Sequence, residues 1–140
     1  MEVKIQHLGG VKFEAAARGH RVISDQPASN GGSDSGMTPP ELLLASLGTC
    51  GAFYAAQYLR VHHLECPGLE VSVSAEKAKA PARLGSFKLD VMAPGVSGEH
   101  EAGMLRAVEA CLIHNTLLHP PAIETHVHCG VEAEASYNSV

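Results

Sequence analysis

Thr38-Pro-Pro-Glu-Leu-Leu-Leu-Ala-Ser-Leu-Gly-Thr-Cys-Gly51 decides the fold, and from Leu42 to Tyr58 the chain carries no charge. Proline suits the first helical position, where its missing N–H has no intrahelical partner and its fixed φ is already helical. Thr38-x-x-Glu41 has the spacing of a capping box. The pattern therefore predicts one helix from Thr38 to about Val61, closing near His62-His63 with Arg60 in its last turn. The 17 uncharged residues fall short of the ~20 that cross a bilayer, and Ser46, Thr49, Gln57, Gly48 and Gly51 interrupt them. The expectation is a helix buried on nearly all sides with no membrane association. A chain of 140 residues has difficulty wrapping such a helix alone, which predicts an intimate homodimer. Gly48 and Gly51 on successive turns would admit a second backbone, or else pack on the chain's own sheet.

Outward from this helix, Val3–Gln6 and Val11–Ala17 flank Gly9-Gly10 as a hairpin, and His20–Ser24 reads as a third strand. Residues 25–37 combine Pro27, Asn30, Gly31, Gly32, Asp34 and Gly36 with almost no apolar side chain, and predict a mobile loop. Glu70–Lys79 and Ser86–Met92 alternate as two strands of a hairpin turning near Gly85. Ser97–Leu112 places Met104, Leu105, Val108 and Leu112 at helical spacing, Asn115–His119 adds one turn, and Ile123–Glu134 alternates again as a closing strand. The length fits a single domain, residues 1–140, of α+β class.

Composition narrows the function. A net charge of −5, three Tyr, three Phe and no Trp leave neither a basic stripe nor a stacking platform for nucleic acid. The start Met-Glu-Val-Lys-Ile-Gln has no charged and then apolar secretory pattern, so the expected compartment is cytoplasmic. Cys50, Cys66, Cys111 and Cys129 form no Cys-x-x-Cys pair, and a reducing compartment keeps them as thiols unless one pair cycles. His62-His63-x-x-Cys66 and His126-x-His128-Cys129 offer nitrogen and sulfur ligands of the kind zinc takes. On a strand, however, His126 and His128 share a face that Cys129 leaves, and no metal site is expected. Phosphate loops, a Ser-His-Asp pattern and paired catalytic carboxylates are absent as motifs, and no cofactor is implied.

Gly31-Gly32, Gly36-x-Thr38-Pro39-x-Glu41-Leu42-Leu43, the helix cysteine Cys50 and later Cys111-x-x-x-Asn115-Thr116 resemble the OsmC/Ohr family of thiol-dependent hydroperoxide reductases. The likeness spans nearly the whole chain. It implies an intertwined homodimer, with antiparallel sheets wrapped around long central helices and active sites at the interface. It further implies reduction of organic hydroperoxides with a dithiol reductant such as a lipoyl group. Within that resemblance Cys50 is the peroxidatic thiol and Cys111 the resolving one, an N-terminal arginine stabilises the thiolate, and Glu41 holds that arginine.

The residues can be weighed beside the resemblance. Peroxide reduction needs a thiolate to attack the distal oxygen and a second thiol to convert the sulfenic acid to a disulfide. Cys50 lies twelve residues beyond Thr38, roughly 18 Å along the helix, out of reach of its N-terminal dipole. Apolar surroundings would raise its pKa, so a nearby cation is expected. Arg18 and Arg21 are available at the third strand, and the resemblance favours Arg18. Glu41 suits an arginine partner, since the guanidinium fork accepts a carboxylate bidentately, although a capping box alone would account for it. Nine residues separate Glu41 from Cys50, about half a turn net and about 13.5 Å of rise. The two can serve one thiol only if Arg18 spans the gap or Glu41 comes from a partner's antiparallel helix. His114 stands where the family often has Ser and could share hydrogen bonds with Cys111, while Asn115 is expected to organise a helix end. Leu47, Phe53 and Tyr54 are either plain core or a surface for an apolar substrate tail. The alternative function is a low-turnover thiol-bearing binding or redox-sensing module on the same fold.

Overall fold

The computed structural model describes residues 1–130. Strands β1 (Lys4–Gly9), β2 (Lys12–Ala17) and β3 (His20–Ser24) form an antiparallel three-stranded meander. Gly9 and Gly10 make the first turn at positive φ, and Arg18 (φ 51°) with Gly19 (φ 83°) makes the second. Two successive left-handed residues give the turn twist that matches the flanking strands. Ile5, Ala15 and Val22 stand on one ladder, and this apolar face remains open, with Ile5 63% and Val22 46% exposed.

The loop of residues 25–37 was expected to be mobile; it is instead stitched to one buried carboxylate. Asp25 accepts hydrogen bonds from the backbone N–H and hydroxyl of both Ser33 and Ser35, at 2.7 to 3.1 Å, and from the N–H of Gln26 at 2.8 Å. Gly32 is required by close approach, because a Cβ there would run into the Gln26 carbonyl. The loop ends in a bridge between Ser24 and Met37 that delivers the chain to the long helix.

Helix α1 (Pro39–Val61) has the expected bounds. The Thr38 backbone N–H and hydroxyl donate to the Glu41 carboxylate at 2.7 and 2.9 Å. It is not buried on nearly all sides: Leu47, Gly48, Gly51, Ala55 and Leu59 form one buried stripe, while Leu43 and Phe53 are exposed. Its length and apolarity would also serve a membrane span, but that stripe packs within the chain on the strands Glu70–Ala78 and Arg83–Met92 and the helix Glu101–Glu109. The close approaches of its glycines are within the chain, Gly48 toward Val73, and Gly51 toward Leu89 and Val108.

Strands β4 (Glu70–Ala78) and β5 (Arg83–Met92) pair antiparallel. Their turn lies at residues 79–82 and not near Gly85. The register slips between Glu76 and Lys77 opposite Gly85, the behaviour of a glycine at a β-bulge, and a Cβ on Gly85 would crowd the Ala78 Cβ at 2.7 Å.

The helix expected over Ser97–Leu112 is divided. A short 3-10 turn (Gly98–His100) leads into α2 (Glu101–Glu109), the helix stops at Ala110-Cys111, and α3 (Leu112–Leu118) begins anew. Cys111 is therefore the N-cap of α3 (φ −57°, ψ 135°), and not an interior helical residue. Ala55, Leu59, Met104 and Val108 form the core between α1 and α2, and Tyr58, Leu64, Leu89 and Val91 pack around it. Beyond His119 the described chain forms no strand, and Ile123 and Val127 are 85% and 80% exposed. The expected closing strand is thus missing over 123–130, and its remainder, 131–134, lies outside the described residues.

Candidate functional site

The break before α3 builds the site. A continuous helix would have pointed its first-turn N–H groups into its own ladder, whereas a fresh N-terminus leaves them without intrahelical partners. The N–H groups of Leu112 and Ile113 and the thiol of Cys111 lie close enough to Cys50 on α1 to lower its pKa. The next N–H, that of His114, donates to Cys111 Sγ at 3.5 Å. Both thiols are free and not disulfide-bonded. Asn115 organises this turn as expected, its backbone and side-chain N–H groups donating to the Cys111 carbonyl at 3.0 and 3.2 Å.

The environments of the two sulfurs drive them apart. Burial pushes the Cys50 thiol up, but hydrogen bonds from Cys111 and from the Ile113 and Leu112 N–H groups outweigh it, leaving the pKa below the ordinary thiol value. Cys111 is fully buried, and burial together with the neighbouring Cys50 raises its pKa. The causes of the lowered Cys50 pKa are donors from outside its own helix and include no cation. The donors come from α3, which packs against α1.

The other expected site residues are placed apart from this pair. Arg18 lies exposed on the β2–β3 turn, with no ion pair or hydrogen bond among the described residues. Arg21 pairs with Glu14 on the neighbouring strand. Glu41 is occupied by Thr38, whose backbone N–H and then hydroxyl lower its pKa. Within the chain, then, the thiols come close and, among the described residues, the arginine–glutamate pair does not form. Tyr54 is half-buried, and Phe53, 56% exposed, makes an edge contact with it at 5.4 Å between ring centres.

His62 stacks on Tyr58, whose hydroxyl is 3.0 Å from His100 Nδ1, and His126 lies 3.8 Å from Glu124 in the exposed C-terminal segment. That segment is no strand, so His126, His128 and Cys129 do not alternate between the two faces of a sheet. Among the described residues no group of three His, Cys, Asp or Glu side chains is arranged to hold a metal ion.

The model of the OsmC-like protein family matches residues 32–126. This chain belongs to the OsmC family. Among solved structures, the OsmC-family fold is shared with a Psychrobacter arcticus protein described as an osmotic-stress-induced and detoxification-response protein. The TM-score is 0.74 at 18% identity, over 81% of this chain and 85% of that one. An organic hydroperoxide resistance protein OsmC of Legionella pneumophila gives a TM-score of 0.59 at 16% identity, covering 84% and 89%. An organic hydroperoxide resistance protein of Elizabethkingia anophelis gives 0.57 at 18%, covering 83% and 87%. At these identities the likeness is one of fold. No curated protein sequence matches the chain.

His114 was singled out for sharing hydrogen bonds with Cys111, and it does so through its backbone. The α3 amides, by contrast, went unforeseen. Helical spacing runs unbroken through Met104, Leu105, Val108 and Leu112, so no glycine, proline or change of period marks the break at residue 110.

Proposed function

We propose that this OsmC-family protein is a cytoplasmic thiol-dependent peroxidase that reduces organic hydroperoxides to alcohols in oxidative stress defence. The observation that carries the reading is the contact of two thiols from distant parts of the chain with pKa values displaced in opposite directions. A nucleophilic thiolate beside a protonated partner thiol is what a two-cysteine cycle needs. The Cys50 thiolate attacks the distal peroxide oxygen, the S–O bond forms as the O–O bond breaks, and the alkoxide takes a proton from water to leave as alcohol. Cys111 then condenses with the Cys50 sulfenic acid, releasing water and forming the Cys50–Cys111 disulfide. A dithiol reductant such as a lipoyl group restores both thiols by exchange. The organic hydroperoxide resistance proteins of the same fold support this substrate class.

Arg18 and Glu41 enter the reading across a homodimer interface. The open apolar face of β1–β3 and the exposed Leu43 and Phe53 of α1 are surfaces a second copy would cover. In that arrangement Arg18 stabilises the Cys50 thiolate and Glu41 orients Arg18.

The test is consumption of cumene hydroperoxide, compared with hydrogen peroxide, with reduced lipoamide as the electron source. The wild type is expected to turn over the organic peroxide preferentially, Cys50→Ser to fall to background, and Cys111→Ser to stop after one turnover. Wild-type consumption no faster than that of Cys50→Ser would replace the peroxidase with a thiol-bearing binding or sensing module.

A further inference from the structure

The net charge of −5 conceals an uneven distribution. Four of the ten Lys and Arg residues, Lys77, Lys79, Arg83 and Lys88, stand in a stretch of twelve that holds no acidic residue. The rest of the chain has six basic residues against fifteen acidic ones. All four cations are exposed, and the stretch is the far end of the β4–β5 hairpin.

The hairpin's irregularity gathers two of them. Arg83 and Lys88 are five residues apart, an odd number that puts side chains on opposite faces of a regular strand. The register shift opposite Gly85 adds one residue between them, so Arg83, across from Ala78, returns to the face on which Lys88 lies across from Ser74. Ser74 and Ser86 share this exposed face, while Val73 on the other face packs toward Gly48 of α1. Lys88 is held by Asp90 at 3.0 Å, whereas Lys77, Lys79 and Arg83 have no carboxylate partner among the described residues. One guanidinium nitrogen of Arg83 donates to the Lys79 and Pro81 carbonyls at 3.3 and 3.0 Å, which fixes the group across the turn without neutralising it.

This end of the hairpin adjoins the two helices that carry the thiols. Leu84 and Gly85 line a cavity of about 440 Å³ together with Leu47 of α1 and Leu117 and Leu118 of α3. Leu47 stands three residues before Cys50 on α1, and Cys111 caps α3.

Unpaired cations on an otherwise acidic chain select a compact acidic partner. A membrane or a nucleic-acid backbone would extend past the hairpin and meet the acidic remainder. Ala80-Pro81-Ala82 at the tip also has no aromatic or long apolar side chain to enter a bilayer or stack on a base. Of the two reactants in a peroxidase cycle, an apolar hydroperoxide has no use for such a surface. The reductant does, because a lipoyl group is borne on a protein's lysine and arrives with that protein's charge.

We propose that the basic end of the β4–β5 hairpin docks the protein that carries the reducing dithiol, an acidic domain whose carboxylates meet Lys77, Lys79, Arg83 and Lys88. The inference rests on the peroxidase reading given above. Docking brings the dithiol arm to the Cys50–Cys111 disulfide. One carrier sulfur attacks and forms a mixed disulfide, and the second closes the carrier's own disulfide. Two electrons and two protons thereby pass to the cysteines and restore both thiols. Complementary charge of this kind acts chiefly on the rate of encounter and is screened by salt.

The experiment follows turnover of cumene hydroperoxide with two reductants, free reduced lipoamide, which is uncharged, and a recombinant reduced lipoyl domain of net negative charge. With the domain, wild-type kcat/KM for the reductant is expected to fall roughly tenfold between about 20 and about 300 mM salt. The double variant Lys77→Glu with Arg83→Glu should lose about 10- to 100-fold at low salt. With free lipoamide both effects should stay within about twofold, because an uncharged reductant is not steered. Arg106→Glu, a charge reversal on α2, should leave both reductants within about twofold of the wild type. A salt-independent rate, an equal loss with both reductants, or an equal loss in Arg106→Glu overturns the docking surface while leaving the peroxidase intact. No wild-type turnover with either reductant removes the peroxidase reading and this inference with it. A second measurement needs no turnover. On addition of the lipoyl domain, amide chemical shifts of the wild type should move most at residues 77–88. Shifts confined to other elements, or binding of the hairpin to phosphatidylserine vesicles with no response to the domain, would equally overturn the proposal.

Discussion

Asp25 and Cys50 are two acids held by backbone N–H groups, and they are held for opposite ends. Asp25 collects all its donors from the ten residues after it, and Ser35 and then Gln26 and Ser33 drive its pKa far below the usual carboxylate range. Four of those hydrogen bonds fall on Oδ2 and one on Oδ1, which uses most of what a carboxylate can accept. Cys50 takes its donors from α3, a remote segment, and they must first overcome burial. A saturated anion is an anchor with no capacity left for chemistry. A thiol whose pKa is lowered only just past the cost of its burial keeps capacity for chemistry.

The largest effect expected from breaking this contrast is at the saturated end. Asp25→Ala leaves the Ser33 and Ser35 donors without their acceptor and releases the loop that leads into α1, and should lower Tm by on the order of 10 °C. The same change should leave the alkylation rate of Cys50 unaltered in protein that remains folded, because no donor to the sulfur comes from the loop. A changed thiol rate would show the two regions to be coupled and the contrast to be false.

Linkage gives the sign of the pH dependence at Asp25. Its folded pKa is depressed from 3.8, so its contribution to stability is complete above the unfolded value and is lost only as the pH falls through the lower, folded one. Wild type and Asp25→Asn should therefore differ by a constant amount from pH 8 to pH 5 in thermal melts, and converge only in strong acid. Convergence near neutrality would mean that Asp25 is not held as an anion.

The contrast also explains how far the sequence could be read. The helix from Pro39 to Val61, the meander and the β4–β5 hairpin were legible because period and turn residues are local signals. The family motif also named Cys50 and Cys111, whose thiols the structure brings close to one another. The anchored loop was not legible, because Ser33, Asp34, Ser35 and three glycines have one composition whether the loop is free or stitched down, and a single carboxylate upstream decides between them. The new start of α3 was hidden for another reason. Leu112 and Ile113 continue an apolar pattern, and only tertiary placement against Cys50 turns their amides into ligands. Arg18 and Glu41 stand apart from the thiols, since the fold of the single chain does not bring them together.

At the partly satisfied end, Cys111→Ala removes the side-chain donor and retains the α3 amides. The Cys50 pKa should rise, and its alkylation by iodoacetamide at pH 7 should slow on the order of tenfold. Well above pH 9 the wild-type and variant rates should meet, because both sulfurs are then thiolate. An unchanged rate at pH 7 would leave the amides as the sole cause of the lowering.

The finest test isolates one amide. Leu112 is the first residue of α3, and its side chain is 62% exposed, so replacing it disturbs little packing. Proline is tolerated at that position, where no intrahelical acceptor is lost. The preceding Cys111 already has φ −57° and ψ 135°, within the region a residue before proline prefers. Leu112→Pro should thus preserve α3 while deleting one N–H from Cys50. Because the Ile113 amide and the Cys111 thiol remain, the expected loss is small, about threefold in alkylation rate at pH 7, with helix content unchanged by circular dichroism. A loss as large as that of Cys111→Ala would mean that the backbone carries the thiolate. No loss would assign the lowering to Ile113 and Cys111, and would reduce the contrast with Asp25 to a difference in the number of donors.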